Sequence, residues 1–267
     1  MLVLLPPSEG KAAAGDGAPL DLEALSFPAL FATRRRLVAT VQRLARRQPG
    51  RLRSALGLSG RQRAEIEHDA RLTSAPTLPA SELYTGVLYE ALGYASLPVR
   101  ARRRADEALV VASALFGLVR PPDRLPPYRL SGSTVLPGLG GLAPLWRPVI
   151  EPVLAGRDEL VVDLRSGSYT ALARVPDAIV VRVLREHDGR RTVVSHDNKH
   201  TKGLLARALC ESGARRASDV AEAGRAVADI VEVDGHRVDL VLRGLASARQ
   251  AGSSSSNSSA ATGGLTR

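Results

Sequence analysis

Apolar residues fall into two rhythms along this chain. Short unbroken runs recur at Leu2 to Leu5, Leu109 to Ala112, residues 159–164 (ELVVDL) and Ala178 to Leu184. Such runs predict strands buried on both faces of a sheet. Between them, apolar positions return every three or four residues. Leu30, Phe31, Leu37, Val38, Val41 and Leu44 predict a helix from about Phe27 to Leu44, with Arg34, Arg35, Arg36 and Arg43 on its charged positions. Further helices are predicted at Leu52 to Leu56, Arg61 to about Leu72, from Tyr84 through Leu92, Val99 to Glu107, Trp146 to Leu154, Leu204 to Leu209 and Ala217 to Val227.

Turn residues set the connections. Asp188-Gly189 joins the run at Ala178 to a strand at Thr192 to Val194, and Asp234-Gly235 joins residues 228–233 to 237–242 as an edge hairpin. Strands interleaved with helices predict an α/β fold, a mixed β-sheet flanked by helices. Residues 12–20 read as a mobile connector, 73–80 as a linker and Gly138 to Gly141 as a loop. Residues 1–249 read as a single domain, with a helical hairpin inserted at about 45–72. The Ser-rich stretch 250–267 has almost nothing to bury and is expected to be a disordered tail.

Composition narrows the chemistry. The chain is 44% hydrophobic but only 3% aromatic, so its core must be Leu, Val and Ala, and a function that stacks successive bases on several rings is disfavoured. The net charge of +10 suits an anionic partner. Only three of the 37 basic residues are lysine, Lys11, Lys199 and Lys202, and all three sit in PPSEGK or NKHTK. Lysine offers a compact charge with an adjustable pKa where guanidinium does not, which makes these three the catalytic candidates. Cys210 is the only cysteine, which excludes an intrachain disulfide and a CxxC zinc or redox pair; its helical context reads as a small buried side chain. The four apolar residues after Met1 are too few for a signal peptide or a membrane span, so a cytoplasmic location is expected.

Two stretches hold the densest candidate chemistry. LVVASALFGLVRPPDRLPPYRL, Leu109 to Leu130, runs from a strand into a loop stiffened by four prolines, which presents Arg120, Asp123, Tyr128 and Arg129 with little entropy left to lose. The alternative is an Arg120 and Asp123 pair that only holds the loop. SHDNKHTKG places Lys199 and Lys202 three apart at a helix start, where two cations suit a bound anion or a lysine of lowered pKa. His196, Asp197 and His200 invite a metal, but the flanking lysines oppose one and HExxH is absent. No metal or cofactor is called for. PPSEGK lacks the Walker spacing, so Ser8, Glu9 and Lys11 are ligand contacts by position only.

The segment between the helices at 52–56 and 61–72 forms a helix-hairpin-helix-like element. Gly57 and Gly60 would let backbone N–H groups approach a phosphate, framed by Arg51, Arg53, Arg61 and Arg63. A plain helical hairpin with a solvated arginine face is the alternative.

SALFGLVRPPDRLPPYRL, with Tyr84-Thr85-Gly86 upstream, VVSHDNKHTKGLLAR downstream and the start MLVLLPPSEGK, resembles the YaaA family of peroxide stress proteins to about residue 243. The resemblance implies protection from hydrogen peroxide by limiting free iron and oxidative DNA damage, with DNA bound through the hairpin. It also implies that Tyr84 and Thr85 lie near the site, and that a small-residue turn with a tyrosine belongs at Arg165 to Tyr169. The competing class is an enzyme acting on a nucleotide-like or phosphorylated small molecule. There Lys11, Arg120, Arg129, Lys199 and Lys202 line one pocket, and Ser8, Glu9, Asp123, Tyr84 and Ser166 orient or move protons. A third class is an interaction protein whose basic face only solubilises.

Overall fold

The computed structural model describes residues 1–243 apart from 14, 156 and 194; for 195–197 it describes the backbone alone. The expected tail at 250–267 lies outside the described residues. In chain order the strands are β1 (Leu2–Leu5), β2 (Gly17–Pro19), β3 (Pro76–Pro79), β4 (Leu109–Ser113), β5 (Gly117–Val119), β6 (Arg124–Leu125), β7 (Val135–Leu136), β8 (Gly140–Gly141), β9 (Val161–Asp163), β10 (Ile179–His187), β11 (Arg190–Thr192), β12 (Ile230–Asp234) and β13 (Arg237–Arg243). The α-helices are α1 (Phe31–Arg47), α2 (Pro49–Ala55), α3 (Arg63–Ala70), α4 (Ala80–Leu83), α5 (Val87–Leu92), α6 (Val99–Ala108), α7 (Ala143–Leu154), α8 (Gly167–Thr170), α9 (Ser195–Ser212) and α10 (Ala217–Arg225).

The main sheet has the order β12-β13-β10-β9-β1-β4-β5, with β11 paired to β10. β1 lies parallel between β4 and β9, Val3 opposite both Leu109 and Val162, and β10 runs parallel to β9 and β13. β5, β11 and β12 are antiparallel additions. Every residue of β1 and β4 is buried, which is why both read as unbroken apolar runs. The chain leaves β1 for β4 on one side and later returns to β9 on the other. The strand order therefore turns at β1, and the ends of β1 and β9 are where loops diverge and a ligand crevice is expected in such a sheet.

Several segments differ from the sequence reading. The connector at 12–20 contains β2 and the linker at 73–80 contains β3, which pair with each other and with β6; Thr77 Oγ1 donates to Ala18 O at 2.6 Å. Proline-rich edges do not announce themselves as strands. The loop expected after Ser113 is a tight β4–β5 hairpin, closed by Leu115 and Phe116 N–H groups donating to Ser113 Oγ and by Gly117 at φ 72°. Gly138 to Gly141 contributes to a two-strand ladder of β7 and β8. α9 starts at Ser195, well before Leu204.

Arg34, read as part of a charged face, is fully buried. Its Nε donates to Phe116 O at 2.8 Å, and its Nη2 to Ser26 O at 2.7 Å and Leu118 O at 2.6 Å. Trp146 belongs to the core as well, its Nε1 donating to Ala114 O at 2.9 Å. Cys210 is buried as expected, and burial pushes its thiol up to about 12, far from a reactive thiolate. Among the described residues no helix is long and apolar enough to cross a membrane.

Candidate functional site

Beyond β1 the chain turns at Pro6-Pro7 and runs against the segment around Tyr84. Thr85 N donates to Ser8 Oγ at 3.1 Å, Ala12 N donates to Leu83 O at 2.9 Å, and Lys11 bridges Tyr84 in a single antiparallel pair. This lays Lys11 over the rings beneath. Its Nζ stands 4.4 Å from the Tyr128 centroid and 5.8 Å from that of Tyr84, and donates to Ser8 O at 3.0 Å. The Tyr84 and Tyr128 hydroxyls are 2.9 Å apart, and Tyr128 is 2.8 Å from Ser113 Oγ at the end of β4. Burial raises both phenols, so they remain neutral donors and acceptors.

A carboxylate whose charge influences this lysine was not among the sequence candidates. Asp69, on α3, is 0% exposed; its Oδ1 accepts from Arg129 N at 2.9 Å and its Oδ2 has no hydrogen-bond partner among the described residues. Arg129 Nη1 donates to Glu9 O at 3.3 Å, and its Nη2 lies 3.9 Å from the Glu9 carboxylate, so the guanidinium closes the site's rim. Burial, then the Arg129 charge, lowers Lys11 to about 8. Burial raises Asp69 to about 8 against the hydrogen bond from Arg129.

Those shifts have a measurable sign. Folded Asp69 holds its proton up to about pH 8, whereas the unfolded chain releases it near 3.8, so this residue's contribution to stability falls as pH rises between those values. Lys11 acts oppositely, adding stability only above about pH 8. Asp69→Asn keeps an oxygen for Arg129 N and cannot ionise. Thermal melts of the variant are expected to match the wild type near pH 4 and to lie above it near pH 8; parallel curves would refute a neutral, buried Asp69.

The neighbouring strand end holds a second cluster. Arg165 grips Asp163 with Nε to Oδ1 at 2.9 Å and Nη2 to Oδ2 at 2.7 Å, both side chains being buried. Lys202 Nζ donates to Leu164 O at 3.0 Å, its pKa lowered by burial against the pull of Asp163. Lys202 therefore ties α9 to the end of β9, while Lys199 is exposed. The two lysines do not form one anion clamp. Ser166 is exposed, and its carbonyl accepts from Tyr169 and Thr170 N–H groups at the start of α8.

Arg120 and Asp123 lie elsewhere. β5 runs back antiparallel to β4, so its end delivers Arg120 to the opposite edge of the sheet from Lys11. There Arg120 stands 5.1 Å over the Phe27 ring, and Asp123 accepts from Arg120 N at 2.8 Å and from Ser26 N at 3.0 Å and Oγ at 2.9 Å. They hold the loop through backbone bonds. The side chains of His196 and Asp197 lie outside the described residues, His200 is exposed, and no group of three metal-ligating side chains occurs among the described residues.

α2 and α3 build a hairpin beside this site. α2 ends in a Schellman motif: Gly57 N donates to Ser54 O at 3.1 Å, Leu58 N to Arg53 O at 3.0 Å, and Gly57 sits at φ 63° with Leu58 buried behind it. Gly57 thus serves the helix end. A 3-10 turn, Gly60–Gln62, leads into α3, with Ser59 N donating to Gln62 Oε1 at 3.1 Å. Arg51, Arg53, Arg61 and Arg63 are all exposed. Arg51 donates to Gln48 and Arg63 pairs loosely with Glu67, whereas Arg53 and Arg61 have no side-chain partner among the described residues.

The sequence profile of the family described as peroxide stress protein YaaA matches residues 1–226. The chain belongs to the YaaA family. A UPF0246 protein of Corynebacterium efficiens is 46% identical over 250 residues, covering 91% of this chain and 99% of that protein. One from Corynebacterium glutamicum is 44% identical over the same shares, and one from Streptomyces coelicolor is 47% identical over 220 residues, 80% of this chain and 84% of that protein. In this YaaA-family chain the match spans the Lys11 loop, the hairpin, Tyr84, Tyr128 and Lys202. A separate cavity of about 490 Å³ lies behind Tyr84 and Tyr89, lined by Leu5, Leu92, Val111, Tyr94 and Arg102. It is mostly apolar and does not include Lys11.

Proposed function

We propose that the chain serves the family's peroxide stress role in the cytoplasm by binding DNA through its phosphate backbone, without sequence specificity. The observation that carries this reading is the pair of faces on the hairpin. Its outer side offers four exposed arginines, two of them without side-chain partners among the described residues, while α3 plants Asp69 behind Arg129 and so fixes the hairpin against the strand ends. Cations bound to phosphates displace the counterions condensed there. Iron would be among those displaced, which accounts for limiting iron-dependent oxidative damage on the same DNA.

Fluorescence anisotropy with duplex DNA across a salt series tests this. Arg53→Ala/Arg61→Ala removes two exposed side chains without touching the core. Tight wild-type binding is expected, and the slope of log affinity against log salt should fall by about two contacts' worth, roughly 0.9 each, in the double variant. An unchanged slope would remove the hairpin from the interface. A second reading, an enzyme acting on a phosphorylated small molecule, is favoured by the convergence of Lys11, Asp69 and Arg129. The substitution that separates the two is Lys11→Arg, because Lys202 holds α9 and Lys199 faces solvent. DNA affinity should survive it.

A further inference from the structure

We propose that Lys11 is a Schiff-base nucleophile toward the aldehyde of a phosphorylated deoxyribose, with Asp69 as its proton donor and Arg129 as the phosphate anchor. In its strand-borne form, an abasic site, this substrate rests on the DNA reading; in its free form it does not.

The geometry selects this chemistry in three steps. First, the amine is poorly compensated as a cation: Lys11 is half-buried, has Ser8 O as its hydrogen-bond acceptor, packs over the face of Tyr128, and makes no ion pair with any carboxylate among the described residues. A desolvated lysine beside another cation, here Arg129, is the setting in which the neutral amine becomes available. Second, the neighbouring acid is kept neutral and has a free oxygen. Asp69 is fully buried, with Oδ1 held by Arg129 N and Oδ2 unpartnered, an orphan that a native interior tolerates rarely. Carbonyl condensation needs an unprotonated amine and a proton donor within one site, and the two groups influence each other electrostatically. Third, the rim is cationic and belongs to the same elements: Arg129 keeps part of its guanidinium exposed, and α3 carries Arg63 on the outside and Asp69 within. An anionic group tethered to the aldehyde is thereby oriented.

The step balances without a further reactant. The Lys11 Nζ lone pair attacks the aldehyde carbon, and the amine proton passes to the former carbonyl oxygen, giving a carbinolamine. Protonation of its hydroxyl by Asp69 releases water and leaves an iminium cation beside the Asp69 carboxylate. Hydrolysis reverses each step.

Trapping with sodium cyanoborohydride reads this out directly. The full chain is incubated with 2-deoxyribose 5-phosphate, with a duplex bearing one abasic site, or with the intact duplex, then reduced and mapped by peptide mass spectrometry. Anisotropy with the intact duplex is recorded on the same preparation. Only three lysines and the Met1 amine can react, so the wild-type map alone assigns the adduct. The adduct is expected on Lys11 and absent with intact duplex. Its rate should pass through a maximum near pH 8, because Lys11 becomes neutral above that value and Asp69 holds its proton below it. Lys199→Arg should leave it unchanged, Lys11→Arg should abolish it, and Asp69→Asn should slow it about 100-fold without moving it. No adduct with either aldehyde, or an adduct on Lys199, Lys202 or Met1, overturns the proposal; if anisotropy still shows DNA binding, the DNA reading stands without it. An adduct with the free sugar phosphate alone, in a chain that binds no DNA, keeps the Schiff base and refutes the DNA reading.

Discussion

Arg34→Met is expected to lose about 3–5 kcal/mol of stability, because three carbonyls lose their donor at once. Methionine fills much of the volume but donates nothing. Phe116 O and Leu118 O would then be left without their donor in the interior, and Ser26 O without it at a half-buried position. Each orphaned buried group costs roughly 1–3 kcal/mol. The guanidinium is already under tension, since burial lowers it to about 10 while Asp123 pulls it back up. Its removal would also untie α1 from the β4–β5 hairpin, whose Ser113 fixes Tyr128 beneath Lys11. Urea denaturation, with the slope m unchanged, measures the loss. A cost below about 1 kcal/mol would mean that the three carbonyls find other donors.

Gly203→Ala should destabilise the fold by about 3 kcal/mol, at the upper end of overpacking costs. In a solvated helix the same exchange stabilises by about 1 kcal/mol, so the reversal of sign is the signature of close packing. α9 crosses α5 at this residue. A Cβ there would stand 2.2 Å from Leu88 O and 2.8 Å from Ala91 Cβ, and the first contact is backbone that no rotamer change relieves. The helices must separate. Lys202, the preceding residue, would be drawn away from Leu164 O, loosening the end of β9 together with the Asp163–Arg165 pair. Thermal melts measure the stability loss, and cyanoborohydride labelling should find Lys202 newly reactive. Gly57→Ala, where a Cβ meets open space at φ 63°, should cost only about 1 kcal/mol. Equal effects at the two glycines would contradict this packing account.

The legible parts of this protein were those in which one local signal had one meaning. Leu2 to Leu5 and Leu109 to Ala112 could only be buried strands, and both are central. The Asp188-Gly189 and Asp234-Gly235 turns carried their hairpins with them. PPSEGK stood out because lysine is so rare here, and the structure brings Tyr84, Tyr128 and Arg129 around Lys11. Arg120 and Asp123 misled because β5 carries them back from the end of β4, while the chain returns through β6 to set Tyr128 against Ser113, a path that sequence proximity conceals. β2 and β3 were missed because their prolines look like linker, and only a partner strand turns such a stretch into a ladder.

The sequence by itself determined the α/β class, the family and the strands that had to be central, because each of these rests on periodicity or a motif contained within a short stretch. Tertiary structure alone decided that Asp69, one acid in the helical run AEIEHDA, is buried behind Arg129, that Lys199 and Lys202 part company, and that Arg34 is core. The physical reason is common to all three. Charge and hydrogen bonding take their energy from what surrounds a group, and the surroundings of Asp69, Lys202 and Arg34 come from Arg129, Leu164 and Phe116, residues far away along the chain.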